Sequence, residues 1–517
     1  MPTAAAQLPE DPQALREMVL SLQVKVRLQE ELIRLLRIDK YGPKSERLND
    51  RQLELLEGEP GVQAGEIDTE SAHAGDEQSI APRPRKKKPR NPAPGRHPLP
   101  AHLPRVEQVI ACAPEQCRCG QCGQATRVIG HEVSEQLDVE PARYFVRVTR
   151  REKRACGRCP DHGVRSAPMP ARILPRSKLA DGLLIDLLIG KYRGHLLLYR
   201  QSATLWADAR IELSRATLSH NIVAVGELCG AITRAMRQEL LAGGYIQADE
   251  TPVGVQTPEP TGKNHQAYLF EYSRPHGPVI FDFQMSRGRD GPKNFLRGFT
   301  GRLQCDGYAG YNDLDDGPIR RIACMAHIRR KFCDAQKVAP EDPRPLGILR
   351  LIKDLYRIEK QARDQGLDAS ARRQLRQEQS APIMARLKER ILQERQAVLP
   401  ASAMGKACDY ALGQWKRMER YLEHGEVELD NNHCENGIRP VALGRKNWLH
   451  IGSEQAGAKI APIMSLLETC RRLGINARDY LLDVLPGLSE RDQSEVAALT
   501  PTQWQKRRQP ARQNPSA

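Results

Sequence analysis

Aromatic side chains are scarce in this sequence, at 5% of its 517 residues. Proteins that bind single-stranded nucleic acid without sequence preference usually stack successive bases on exposed aromatic rings. The composition therefore argues against an aromatic platform for single strands.

Long apolar runs are also lacking, because no stretch approaches the roughly 18 uninterrupted apolar residues that indicate a membrane-spanning helix. The N-terminal sequence MPTAAAQLPEDPQ has no basic segment followed by an apolar one, as a secretory signal would have. We therefore expect a soluble cytoplasmic protein. In that compartment the 13 cysteines are poor disulfide candidates, so closely spaced cysteines indicate either metal binding or core packing.

The charge balance is basic, with 79 Lys and Arg against 64 Asp and Glu and a pI of about 9.3. Such an excess favours a polyanionic partner, nucleic acid first and an anionic membrane second. The length is too great for one ordinary domain and suggests three or four.

A seam of mostly apolar residues runs along an N-terminal segment that we place at residues 10–50. Its members recur at alternating steps of four and three residues: Leu15, Val19, Leu22, Val26, Gln29, Ile33 and Leu36. This spacing is typical of a coiled coil. It covers barely three heptads, so a dimer zipper and a single amphipathic helix packed on its own domain fit it equally well.

Residues 51–100 have the composition of a disordered linker, acidic in its first part and basic and proline-rich in its second. The basic part, RPRKKKPRNPAPGR, has no acidic residue and can neutralise DNA phosphates. Its central residues are Arg85, Lys86, Lys87 and Lys88. A solvated tether without DNA contacts is the alternative interpretation.

Two Cys-x-x-Cys pairs lie in a segment that we place at residues 110–170. Thiolates from two such pairs can close a tetrahedral zinc site with no open position, which indicates a structural Zn²⁺. The expected ligands are Cys119, Cys122, Cys156 and Cys159, with Cys117 as an alternative to Cys119. The sequence YFVRVTR between the pairs alternates as a strand does. The other interpretation is two unrelated reduced pairs.

Residues 174–240 show a helical pattern and are expected to form a DNA-binding domain resembling a helix-turn-helix. Ser214 is placed to cap a helix, and Arg215, Thr217 and Ser219 after it are short or basic groups suited to a DNA groove. An ordinary helical spacer is the alternative.

From residue 242 onward the pattern predicts three strands, a helix, a fourth strand and a fifth strand that runs into a basic helix. The first strand, YIQADETPVGV, contains Asp249, and the fourth, GRLQCDGYAGY, contains Asp306. This order predicts a ribonuclease H-like domain, in which these two acids lie side by side in the sheet. Adjacent carboxylates repel one another unless a cation neutralises them, and Mg²⁺ prefers such oxygen ligands. The basic helix carries three residues that we expect to contact DNA: Arg329, Arg330 and Lys331.

A third carboxylate is predicted in the sequence DNNHCENGIRP. Asp430 or Asn431 can cap a helix there, on which Asn431, Glu435 and Arg439 share one face. Glu435 would then complete the metal site, with Asp430 as its rival. Three basic residues remain to contact phosphates: Arg439, Arg445 and Lys446.

The chain resembles a bacterial DDE-type transposase of the insertion sequence 66 family. The resemblance rests on KYGPKSERL, the cysteine pairs, GHEVSEQLDVEPARY, the ADET strand, CDGYAGYN, CMAHIRRKF and DNNHCENGIRPVALGRKNWLHIGS, spread over about residues 10–485. It implies catalytic acids at Asp249, Asp306 and Glu435. It also implies a helical insertion before the glutamate helix, action on short terminal inverted repeats, and small accessory proteins encoded by the same element.

We therefore predict a multidomain α+β transposase that needs Mg²⁺ or Mn²⁺ at its acids and a structural Zn²⁺. It would bind the terminal inverted repeats of its element as an oligomer on double-stranded DNA, cleave the ends, and join the 3′-hydroxyl to target DNA in the bacterial nucleoid. A nuclease of the same fold and a zinc-containing DNA-binding regulator are the alternatives. The domains beyond the zinc segment are expected at 174–240 (helical), 242–340 and 426–460 (catalytic), 341–425 (insertion), 461–490 (C-terminal helices) and 491–517 (basic tail).

Overall fold

The structure is a computed structural model. It describes residues 11–41, 142–155, 164–257, 264–315 and 317–508, together with scattered positions between 105 and 136. The predicted zinc ligands Cys119, Cys122, Cys156 and Cys159, and the basic residues Arg85, Lys86, Lys87 and Lys88, lie outside the described residues. The chain divides into two units, residues 76–149 and the remainder, and every element below belongs to the second unit.

The N-terminal seam forms one helix, α1 (Pro12–Tyr41). Its polar residues join it to the helical part of the chain, because Arg34 donates to the Val338 oxygen and Glu31 accepts from the Ala403 amide. Several seam side chains remain about half exposed: Val19, Leu22, Val26, Ile33 and Leu36. The apolar stripe is therefore not the face by which α1 contacts its own chain.

A short antiparallel pair follows, β1 (Lys153–Ala155) with β2 (Val164–Ser166). Residues 144–150 have no regular secondary structure, so the prediction of a strand at YFVRVTR is wrong. The apolar residues Phe145, Val146 and Val148 are largely exposed, so burial on a core face does not favour strand formation there.

Three helices form the segment in which we expected a DNA-binding domain: α2 (Asp181–Tyr192), α3 (Leu198–Ala209) and α4 (Arg215–Leu241). The predicted cap is confirmed, because Ser214 Oγ accepts a 3.1 Å hydrogen bond from the Thr217 amide at the start of α4. Helix α4 buries an apolar face that includes Leu218, Ile222 and Val225.

A six-stranded sheet forms the centre of the second unit. Its strands are β3 (Tyr245–Val255), β4 (His265–Ser273), β5 (Val279–Gln284), β6 (Gly301–Cys305), β7 (Ile319–Ala323) and β8 (His450–Ile451). The order across the sheet is β5-β4-β3-β6-β7, with β8 also paired to β3. Strands β3, β4 and β5 are antiparallel, whereas β6 runs parallel to β3 and to β7. A short helix, α5 (Asp290–Phe295), and a 3₁₀ turn (Ala309–Leu314) complete these connections.

Helices then occupy the chain up to the glutamate motif. They are α6 (Met325–Val338), α7 (Arg344–Asp364), α8 (Ala369–Leu375), α9 (Ala381–Ala397) and α10 (Ala403–Glu419), with a π-helical turn at Arg376–Ser380 and a 3₁₀ turn at Arg420–Glu423. Their apolar faces share one core. The fully buried Arg376 pairs with Glu359 and donates to the Val427 oxygen, so the insertion is fixed to the segment that leads into the next helix.

The remaining helices are α11 (Asn432–Trp448), α12 (Glu454–Arg472), α13 (Ala477–Val484), α14 (Gln493–Ala497) and α15 (Pro501–Arg508), with a 3₁₀ turn at Leu488–Glu490. Where we expected a basic tail from residue 491, the chain stays folded to Arg508. The reason is that Trp504 is buried and its indole N–H donates a 2.6 Å hydrogen bond to Asp483. In the described part of the chain, each helix is too short or too polar to cross a membrane.

Candidate active site

Asp249 and Asp306 lie at the same level in neighbouring strands. Strands β3 and β6 are parallel, and their register pairs Gln247 with Gln304. Continuing that register by two residues puts Asp249 opposite Asp306, which directly follows Cys305 at the end of β6. Because adjacent strands are about 4.8 Å apart, this alignment brings the two carboxylates to one edge of the sheet.

Helix α11 brings Glu435 to the same edge. The chain before this helix is held by the two buried glutamines that precede the aspartates. Gln247 Nε2 donates to the Asp430 oxygen at 2.9 Å, and Gln304 Nε2 donates to the Glu428 oxygen at 2.8 Å. Glu435 lies in the first turn of α11, one turn after these anchored residues.

Burial and neighbouring charges shift the pKa of Asp249. Burial raises this pKa well above its ordinary value, and the negative charges of Glu435, Glu250 and Asp306 raise it further. The Glu250 amide, which donates to Asp249 Oδ1 at 2.9 Å, acts in the opposite direction. These carboxyl groups are partly buried, and like charges close together are unfavourable unless a cation neutralises them. Their oxygen atoms are of the kind that Mg²⁺ prefers as ligands. Among the described residues, the ligand atoms that already lie within 4.8 Å of one another belong to Cys324, His327 and Glu435 and not to the three acids.

Asp430 has a different environment from Glu435. Its Oδ2 accepts hydrogen bonds of 2.8 Å from Tyr356 Oη and Asn432 Nδ2, and its Oδ1 accepts one of 3.1 Å from the Asn432 amide. Burial raises the pKa of Asp430 to about 7. Its carboxylate is thus occupied in starting α11. Asn431, the other predicted cap, makes no side-chain cap bond and instead donates to the Ala248 oxygen at 3.4 Å.

Glu250 is a fourth carboxylate of the site, which the sequence pattern does not single out. Arg287 Nε donates to its Oε1 at 2.9 Å, and Tyr311 Oη donates to its Oε2 at 3.1 Å. Arg287 also lies 4.0 Å from the ring of Tyr308, whose amide donates to Asp306. Arg287 thus contacts both Glu250, which follows Asp249, and Tyr308, which lies two residues after Asp306. Sequence spacing does not reveal these contacts.

His327 and Arg330 are further neighbours of Glu435. His327 Nδ1 lies 3.6 Å from Glu435 Oε1, and Arg330 Nη2 lies 3.4 Å from Oε2. Burial lowers the pKa of His327 below its ordinary value, although Glu435 opposes that shift. The motif CMAHIRRKF contains both residues, but its charge pattern indicates a role for the basic residues and none for the histidine.

A buried contact between Glu271 and Arg472 fixes the first turn of α11 to the sheet, although burial raises the pKa of Glu271 to about 8. Glu271 is the partner of Asp249 across β3 and β4, and Arg472 of α12 donates to its Oε1 at 3.2 Å. Arg472 also donates to the His433 oxygen in the first turn of α11 at 2.7 Å. Gly437 allows this close approach, because a Cβ there would lie 2.2 Å from Glu271 Oε2.

The other residues predicted to bind DNA lie at several places. Arg215, Thr217, Lys331 and Lys446 are exposed, and Arg329 and Arg439 are partly buried. Arg445 contacts β3, donating to Thr251 Oγ1 at 2.8 Å and to the Pro252 oxygen at 2.6 Å.

Comparison with known families gives three matches along the chain. A model described as "Transposase IS66 family" matches residues 176–459. A model described as "zinc-finger binding domain of transposase IS66" matches residues 116–160, and one described as "Transposase C of IS166 homeodomain" matches residues 28–107.

Two relatives from Sinorhizobium fredii (strain NBRC 101917 / NGR234) are similar over most of their length. The uncharacterized protein y4qI is 33% identical over 91% of this chain and 87% of its own. The uncharacterized protein y4jD is 30% identical over 96% of this chain and 97% of its own.

Proposed function

The chain belongs to the IS66 family of transposases, and from this premise we propose that it cleaves the ends of an insertion sequence and joins them to target DNA. The observation that supports the proposal is the register of β3 and β6, which puts Asp249 beside Asp306, with Glu435 in the first turn of the helix anchored to the same strands. Burial, and then the charges of Glu435, Glu250 and Asp306, raise the pKa of Asp249. The family is one of DNA-binding transposases with a zinc-finger segment, and the proposal adds the chemistry and the role of each residue.

The catalytic domain is proposed to be ribonuclease H-like, with sections at 242–340 and 426–460 separated by the helical insertion at 341–425. Support comes from the strand order β5-β4-β3-β6-β7, with three antiparallel strands followed by two parallel ones. In this arrangement β3, which carries Asp249, lies beside β6, which Asp306 directly follows. A site that takes one acid from each strand requires this.

Asp249, Asp306 and Glu435 would hold Mg²⁺ or Mn²⁺, and Glu435 Oε1 is buried without a hydrogen-bond partner among the described residues. The chemistry that a divalent cation would supply there is activation of water or a 3′-hydroxyl and neutralisation of charge developing on the phosphate. The protein's own contribution is to hold the three carboxylates rigidly through Gln247, Gln304 and the start of α11, so that the site needs no reorganisation during the reaction.

DNA binding is proposed to involve both the zinc segment and exposed basic groups of α4, α6 and α11. The zinc-finger match spans Cys119, Cys122, Cys156 and Cys159, which we propose as the ligands of a structural Zn²⁺, with Cys117 as the alternative to Cys119. Arg330, Lys331 and Lys446 are exposed and are proposed to contact phosphates of the element ends or of the target. Arg215 and Thr217 begin α4 on an exposed face suited to groove contacts.

We also propose that the protein works as a homo-oligomer on DNA through α1, alongside small accessory proteins encoded by the same element. The support for the oligomer is that α1 contacts its own chain through Arg34 and Glu31, while seam positions such as Leu22, Val26 and Ile33 stay about half exposed. Pairing two such stripes would bury them in the manner of a coiled coil.

The test uses the full chain with duplexes carrying the terminal repeats of its own element. With Mg²⁺, wild-type protein should cleave these ends and join pre-cut ends to a plasmid, whereas Asp249→Asn should bind the duplexes and do neither. Cleavage without joining of pre-cut ends would indicate a nuclease. Specific binding without any reaction by the wild type would indicate a regulator.

A further inference from the structure

Cys324, His327 and Glu435 form a second set of candidate metal ligands that shares one residue with the acid cluster. Each offers one ligand atom, and the three atoms lie within 4.8 Å of one another. We propose that these residues bind Zn²⁺, and that Zn²⁺ in this site withdraws Glu435 from the Mg²⁺ ligands and inhibits the enzyme. The inhibition rests on the proposed function, whereas the zinc binding does not.

Local structure brings the first two ligands together. Cys324 is the N-cap residue of α6, and His327 is the third residue of that helix. Side chains at these two positions face each other, as they do when a capping residue and the third helical residue exchange hydrogen bonds. The Cys324 sulfur also accepts from the Asn431 amide at 3.4 Å, in the segment that leads into α11.

Helix α11 supplies the third ligand. Glu435 Oε1 lies 3.6 Å from His327 Nδ1. That distance is too long for a hydrogen bond, and both atoms are buried without a hydrogen-bond partner in the described part of the chain. It is close to the edge of a tetrahedron around Zn²⁺, whose bonds to nitrogen and oxygen are about 2.0–2.1 Å. A cation between the two atoms would satisfy both.

The chemistry of the ligands selects the ion. A thiolate, an imidazole and a carboxylate suit Zn²⁺, and Mg²⁺ does not take sulfur ligands. Binding would release the thiol proton of Cys324 to solvent and leave a fourth position for water. Asp249 and Asp306 offer only oxygen ligands. Glu435 would therefore belong to two ligand sets, one with these aspartates that suits Mg²⁺ and one with Cys324 and His327 that suits Zn²⁺.

Zinc binding can be measured without any reaction. Full-length protein is equilibrated with buffered Zn²⁺, and bound zinc is determined by elemental analysis. Wild type should bind one equivalent beyond the zinc held by the cysteine pairs. Cys324→Ser and His327→Gln should each weaken that equivalent by about a hundredfold or more, since even residues behind the ligands are worth 10–100-fold in affinity. Cys333→Ser, on the same helix but outside the cluster, is the matched control and should keep it.

Co²⁺ identifies the sulfur ligand. With the cysteine pairs filled by Zn²⁺, added Co²⁺ should give a thiolate-to-cobalt absorption band in wild type and Cys333→Ser, and none in Cys324→Ser. The proposal fails if Cys324→Ser and His327→Gln, both folded by circular dichroism, retain the additional zinc. It also fails if Asp249→Asn abolishes that zinc while Cys324→Ser does not, because the ion would then lie among the acids.

Inhibition is the second readout. The Zn²⁺ concentration that halves Mg²⁺-dependent cleavage should rise with added Mg²⁺ in wild type. In Cys324→Ser it should be at least about tenfold higher, each variant being compared with its own zinc-free rate. Equal inhibition of wild type and Cys324→Ser by Zn²⁺ would overturn the proposal that zinc at this site competes with Mg²⁺ for Glu435. Absence of cleavage in every protein, with the zinc result intact, would count against the proposed function alone.

Discussion

Gln304 Nε2 donates a 2.8 Å hydrogen bond to the backbone oxygen of Glu428. Gln304 precedes Asp306 by two residues on β6, and Glu428 lies in the segment that enters the helix of Glu435. Gln247 makes the matching bond to the Asp430 oxygen from β3. The two strands that position Asp249 and Asp306 thus also anchor the segment that leads to Glu435. This anchoring gives the buried side-chain amides of Gln247 and Gln304 a role in the site.

Gln304→Leu should test this coupling. The change leaves the partly buried Glu428 oxygen without its donor and removes the Gln304 oxygen that accepts from Tyr245 Oη and Gln247 Nε2. Each group left unpaired costs about 1–3 kcal/mol of stability. It should also raise the Mg²⁺ concentration needed for cleavage, because α11 loses an anchor. Urea unfolding and Mg²⁺ titration of cleavage measure the two effects. Gln377→Leu is the control, because the exposed Gln377 donates a similar bond, of 2.9 Å, to the Leu422 oxygen within the helical insertion. Equal Mg²⁺ requirements for the two variants would contradict the coupling.

Gly437→Ala should test the close packing of α11 on the sheet. A methyl group there would lie 2.2 and 2.3 Å from the carboxylate oxygens of the fully buried Glu271. Relieving that overlap should cost about 1–3 kcal/mol, as overpacking usually does. Gly413→Ala in α10 is the matched control, because a Cβ at position 413 meets nothing within 4 Å. It should be neutral or stabilising by up to about 1 kcal/mol. Similar thermal unfolding of both variants would show that α11 can shift freely.

The strands of the site follow from the sequence. Strand β3 spans Tyr245–Val255, the range of the sequence YIQADETPVGV that predicts it. Strand β6 spans Gly301–Cys305, the first part of the predicted strand GRLQCDGYAGY. Ser214 caps its helix as predicted, because a cap depends on contacts within one turn. Local pattern and local hydrogen bonding are sufficient to predict these elements.

Tertiary contacts account for what the sequence does not reveal. Glu250 on β3 accepts a hydrogen bond from Arg287, which lies in the loop after β5. His327 contacts Glu435, which is more than a hundred residues later in the chain. Neither contact follows from spacing. The basic residues Lys506, Arg507 and Arg508 favour the prediction of a basic tail at 491–517, whereas the burial of Trp504 holds Pro501–Arg508 as a helix.

The stability of the protein should depend on pH through Asp430. Its pKa is about 7 in the folded chain, above the ordinary value of 3.8, so folding takes up a proton when the pH lies between these values. Stability from this group is therefore present at low pH and is lost as the pH rises through 7, with a slope of up to about 1.4 kcal/mol per pH unit. Asp430→Asn should remove that part of the slope, measured by urea unfolding at several pH values from about 4.5 to 8. Parallel curves for the two proteins would show that Asp430 titrates normally.

DNA binding should weaken steeply with salt, because Lys and Arg side chains that bind phosphates release counterions from the duplex. Neutralising Arg85, Lys86, Lys87 and Lys88 together should flatten the slope of log affinity against log salt concentration, by about one for each phosphate that is no longer neutralised. Fluorescence anisotropy with a labelled terminal-repeat duplex measures the slope. An unchanged slope would identify the basic run as a tether.

Glu435→Gln should separate catalysis from folding and DNA binding. Glutamine keeps the shape of the side chain but removes the negative charge that would face the cation. Cleavage and joining should fall on the order of a thousandfold, as they do when preorganised charge stabilisation is lost. Binding of terminal-repeat DNA and urea unfolding should change little, because Glu435 is partly exposed and other segments carry those properties. Asp430→Asn is the control: an amide oxygen can still accept from the Asn432 amide at the start of α11, so cleavage should stay within about tenfold of wild type. If Asp430→Asn abolished cleavage while Glu435→Gln retained it, the third ligand would be Asp430, and the hydrogen bonds from Tyr356 and Asn432 would then have to be exchanged for the cation.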